Sequence, residues 1–66
     1  MTKKNNLEIQ FNCLLIEDLV KCWVSRGITD TEKLVELVDT QFHPQNEWEM
    51  EMYSEAIIYS KLSILN

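Results

Sequence analysis

Gly27 and Pro44 are the only glycine and the only proline in 66 residues, so the chain has very little loop. A phosphate-cradling loop cannot be built from one glycine, which removes the common nucleotide-binding motifs. Histidine is as scarce: His43 stands alone beside Pro44, with Thr40 where a di-iron bundle would carry its glutamate. A cation at a helix end favours the terminal carbonyls, so His43 reads as a loop or capping residue. Cys13 and Cys22 are the only cysteines and show no C-x-x-C spacing. On one helix they would lie roughly 13 Å apart along the axis and about 180° apart around it, too far for a bridge and on opposite sides for a shared metal. Two thiols in a reducing, cytoplasmic compartment are therefore expected, with no metal and no cofactor.

Positive charge is short as well. Six Lys and Arg stand against eleven Asp and Glu, a net charge of −5, and the stretch 30–55 holds eight carboxylates opposed only by Lys33. Such a surface repels phosphate backbones and anionic lipid, so neither direct nucleic-acid binding nor membrane attachment is expected. No apolar run is long enough to span a bilayer. The start, MTKKNNLEIQFN, lacks the apolar segment and small-residue cleavage site of a signal peptide.

A chain of 7.8 kDa is one domain with a thin core, hiding about 60% of the surface its unfolded form exposes. It is too small to enclose a typical ligand pocket of several hundred Å³. An enzyme acting alone is accordingly the least favoured class. The remaining catalytic reading is a site shared across a dimer, around His43 and nearby carboxylates, which His43→Ala would remove.

What is present is helix-forming sequence in three pieces. The stretch 1–6 is polar, basic at Lys3 and Lys4, and reads as a flexible leader in which Asn5 or Asn6 caps the first helix. A single helical domain then occupies 7–66. Its first helix, 7–26, holds ten apolar residues among the fourteen from Phe11 to Val24. Projected at 100° per residue, these without Leu14 and together with Ile9 fill roughly 220°, against the 100° or so that an ordinary surface helix needs. Gly27 is placed for a left-handed C-terminal cap. Thr29 and Glu32 match a capping box, opening a tidy amphipathic helix over 30–42. Pro44 ends it. Asn46 with Glu49 signals a third helix over 47–65, favoured over a strand because Glu, Met, Ala, Leu and Lys are good helix formers and no turn residue interrupts it. In this helix Met50 and Met52 point about 200° apart, so one of them is expected to be exposed unless a partner covers it.

The expected fold is thus all-α, a small three-helix domain completed by dimerisation. The first and third helices carry more apolar surface than a monomer of this size can cover, and self-association resolves the conflict. Phe11, Leu15, Leu19, Trp23 and Trp48 are the expected dimer contacts. On the third helix Glu47, Glu51 and Glu55 recur every four residues, and Ile58 and Leu62 continue the same side. Acid beside apolar surface suits docking to a larger protein with a basic surface, charge steering the encounter and apolar contact prolonging it. The function expected is therefore a non-enzymatic regulator, inhibitor or adaptor. The alternative is an acidic nucleic-acid mimic that blocks a basic cleft of a nucleic-acid-binding protein.

Overall fold

A computed structural model describes residues 5–65 as three α-helices: α1 (Asn6–Ser25), α2 (Thr31–Phe42) and α3 (Glu47–Leu65). The all-α, three-helix expectation holds, and among the described residues there is no strand. Most of the expected leader, residues 1–4, lies outside this range. Its last two residues belong to the helix: Asn5 is the N-cap, its Oδ1 accepting from the Glu8 amide at 2.8 Å, and Asn6 opens the first turn.

The chain breaks follow local chemistry. At the end of α1, Gly27 adopts φ +96°, the Ile28 amide donates to the Trp23 carbonyl and the Gly27 amide to that of Val24, both at 2.9 Å. This double bond pattern is the Schellman motif, and it draws Ile28 and Trp23 together against the core. The cap of α2 corrects the sequence expectation: Asp30, not Thr29, accepts from the Glu32 amide, at 3.3 Å. With Asp30 as cap the third helical residue is Lys33, so no carboxylate is placed to reach back and complete the box. His43 ends α2 in the left-handed region (φ 49°), donating its amide to the Asp39 carbonyl at 3.0 Å. Pro44 helps to end the helix here, because a following proline disfavours the right-handed helical region.

The helices run up, down and up. Ile9 lines one cleft with Trp48 and Glu49, and one turn further along Asn12 donates to Tyr53, so α1 and α3 advance in parallel. Thr31 meets Lys61 and Phe42 meets Tyr53, which sets α2 antiparallel to α3. The result is an elongated body of 37 × 18 × 16 Å. Its core is one column: Ile9, Ile16, Val20 and Val24 from α1, Leu34 and Val38 from α2, and Tyr53, Ala56 and Ile57 from α3. Trp23, Phe42 and Met52 pack against its sides. Met50 and Met52 are both half-buried, so neither is the exposed methionine that their angular separation predicts.

Candidate functional site

Glu49 is the least expected feature of the core. It stands in a run of glutamates, yet it is 1% exposed, whereas Glu47, Glu51 and Glu55 are all open to solvent. Two bonds explain its position. Asn46 Oδ1 accepts from the Glu49 amide at 2.8 Å, and Glu49 Oε1 accepts from the Gln45 amide at 3.0 Å. This is the capping box expected from Asn46 and Glu49, displaced by one residue, because the carboxylate reaches the amide before the cap. Beneath it Tyr53, fully buried, donates its hydroxyl to Glu49 and accepts from Asn12 Nδ2 at 2.9 Å. Burial pushes the Tyr53 phenol up to about 12; the Asn12 hydrogen bond works against that rise, while the Glu49 carboxylate adds to it. Asn12, Tyr53 and Glu49 thus fix the register of α1 against α3 through polar atoms held inside the bundle.

A cleft of about 610 Å³ opens beside this network, lined by Asn6, Ile9, Gln45, Trp48 and Glu49 among others. It is an open surface cleft and not an enclosed pocket. It lies between the first turns of α1 and of α3. Among the described residues no three His, Cys, Asp or Glu side chains are grouped to hold a metal ion. Cys13 and Cys22 are free thiols. Burial raises the Cys13 thiol, and the Glu17 and Glu55 carboxylates raise it further, which keeps it protonated and a poor nucleophile. His43 is exposed at the end of α2.

The expected partner strip is one continuous exposed row on α3. Glu47, Glu51 and Glu55 stand in solvent, and Ile58 (47% exposed) and Leu62 (56%) follow in line. Lys61, the lysine nearest in sequence, does not serve these acids and donates instead to Thr31 Oγ1 at 3.0 Å. Tyr59 and Leu65 are also exposed here and were not anticipated.

The expected dimer contacts divide. Phe11 (60% exposed) and Leu15 lie on the outer side of α1, and Trp48 is half-exposed at the start of α3. Leu19 is half-buried, and Trp23 packs against the core beside Ile28. The outer side of α1 instead gains Leu7 (76% exposed) and Leu14 (60%). On a helical projection both fall in the arc that holds Asp18, Lys21 and Ser25, where apolar residues do not announce themselves as a face.

No protein-family model matches the chain, and no curated protein or solved structure shows significant similarity to it. Among the described residues no helix is long and apolar enough to cross a membrane.

Proposed function

We propose that the protein is a non-enzymatic interaction protein of the cytoplasm, a homodimer that binds a larger protein with a basic surface and modulates it. The observation that carries this reading is the row on α3. Three solvent-facing carboxylates at four-residue spacing repel one another by roughly 0.2 to 0.5 kcal/mol per neighbouring pair, and only Glu47, in the first turn of α3, is favoured by its place in the helix. Opposed by lysine or arginine, the same carboxylates steer association, and Ile58 and Leu62 supply apolar contact that salt does not screen. The dimer part of the reading draws support from the exposed apolar residues of α1.

Affinity capture of the tagged protein from the cells that make it tests the reading, with washes at low and high salt. A retained partner that survives high salt and is lost with Ile58→Asp or Leu62→Asp supports the α3 row. Capture that collapses with salt and ignores both substitutions instead favours the nucleic-acid mimic. A partner indifferent to Ile58, Leu62, Glu51 and Glu55 alike refutes the assignment of this face.

A further inference from the structure

The outer side of α1 carries a row that the chain's own core does not use. Leu7, Phe11 and Leu14 follow at spacings of four and three, Leu15 stands beside them, and the row continues into Asp18 and the exposed Cys22. Alternating spacings of four and three make the seam by which two helices pack along their length. Every buried α1 residue, Ile9, Ile16, Val20 and Val24, lies on the opposite side. The seam is therefore an unpartnered face, distinct from the α3 row.

We propose that a second copy of the chain closes this seam, with the two α1 helices antiparallel about a two-fold axis at Phe11. The proposal rests on the homodimer reading above and specifies its face and direction. Three features select this arrangement. First, Leu7, Leu14 and Leu15 flank Phe11 on both sides, so reversal about Phe11 lays Leu7 of each copy over Leu14 and Leu15 of the other. Second, Asp18 lies in the middle of the row. Parallel helices would set the two Asp18 carboxylates face to face in the seam, where like charges oppose association. Antiparallel reversal places each Asp18 seven positions past the axis, about 10 Å along the helix and beyond the matched apolar residues. Third, the helix dipoles of neighbouring antiparallel helices attract, whereas those of parallel neighbours repel. A two-fold axis also closes the assembly at two chains.

Cys22 lets the arrangement be measured. In a Cys13→Ser background a spin label on Cys22 is the only label, and the serine keeps a donor toward the Met52 carbonyl that Cys13 faces. Cys22 lies eleven positions past Phe11, so the antiparallel dimer separates the two labelled positions by roughly 33 Å along the seam. A parallel dimer brings them to within roughly the 10 Å spacing of packed helices. Sedimentation equilibrium at tens of micromolar is expected to give twice 7.8 kDa, and pulsed dipolar spectroscopy the long distance. Phe11→Asp is expected to weaken the dimer by on the order of a hundredfold with helical circular dichroism unchanged. Leu7→Asp reads the same seam at a position where an acid favours the first turn of a helix, should the Phe11 variant fail to fold. A dimer with the labels close together overturns the antiparallel arrangement. A dimer untouched by either aspartate overturns the placement on α1. A 7.8 kDa monomer overturns the homodimer itself and leaves the α3 reading standing.

Discussion

Replacing Tyr53 with Phe removes one oxygen from the centre of the bundle, and its consequences can be worked through. The hydroxyl is the shared atom of the Asn12 and Glu49 hydrogen bonds. Without it the Asn12 amide and the Glu49 carboxylate each lose a partner inside the protein. Leaving a buried polar group unsatisfied costs about 1 to 3 kcal/mol, and more for a charged one. A chain of 66 residues is stabilised by roughly 3 to 10 kcal/mol in total, so Tyr53→Phe is expected to remove a third or more of that. The pH dependence gives an independent check. The Tyr53 phenol is pushed from 10.0 up to about 12, chiefly by burial, so the folded state holds its proton more tightly than the unfolded state does. The stabilisation is fully present below pH 10 and is lost as the pH climbs toward 12. Two decades of acidity correspond to about 2.7 kcal/mol. Urea unfolding followed by circular dichroism at steps from pH 7 to 12 measures both effects. Wild type minus Tyr53→Phe cancels the lysines and Tyr59, which titrate in both proteins. The difference should be largest at pH 7 and shrink by 2 to 3 kcal/mol across the alkaline limb. A Tyr53→Phe variant as stable as wild type at pH 7, with an unchanged alkaline limb, refutes the idea that this hydroxyl ties α1 to α3.

Other substitutions probe single features by the same urea titration. Ser60 Oγ is buried without a hydrogen-bond partner, so Ser60→Ala should raise stability by about 1 kcal/mol. At Gly27 an added Cβ meets nothing within 4 Å, and only the positive φ opposes it. Gly27→Ala should therefore cost about 1 kcal/mol, and Gly27→Asn less. Asn46→Ala deletes the cap of α3 and should cost about 1 kcal/mol, with the loss concentrated in the amide protection of its first turn. Ile16→Val, in the α1 part of the core, should cost about 0.5 to 1.5 kcal/mol. In stopped-flow folding its effect is expected to appear mainly as faster unfolding.

The helices were legible because their punctuation is strong: Asn5, Gly27, Pro44 and Asn46 each fix a boundary within a residue. At the start of α2, Thr29 and Asp30 compete for one amide, and sequence alone does not choose between two good caps. The interior was less legible. Ten apolar residues across 220° of α1 say that the helix is greasy all round, not which half meets α3. Trp23, expected as a dimer contact, lies against the core, while Leu7 and Leu14 stand exposed among polar residues with no sequence signal of a face. Glu49 was legible only as a cap. Nothing in the alternation of Trp48, Glu49, Met50 and Glu51 distinguishes the one buried carboxylate, because its burial depends on Tyr53 one turn away and on Asn12 from another helix. On α3 the spacing of Glu47, Glu51, Glu55, Ile58 and Leu62 was enough to place them on one exposed side, whereas the exposure of Tyr59 and Leu65 carries no such signal.

The parallel run of α1 and α3 also bears on how the chain finds its fold. Phe42 and Tyr53 are eleven positions apart, whereas Asn12 and Tyr53 are separated by 41. Closing the longer segment costs about 1 kcal/mol more entropy than closing the shorter one, since each doubling of loop length adds about 0.6 kcal/mol. The hairpin of α2 on α3 is thus the cheaper first event, and α1 arrives on a platform already built. Until it does, Tyr53 and Glu49 have no Asn12 to meet and the core column stands open on one flank. On this order the most hydrophobic helix of the protein is the last to be anchored, and substitutions in its core face, such as Ile16→Val, are expected to act mainly on the unfolding rate.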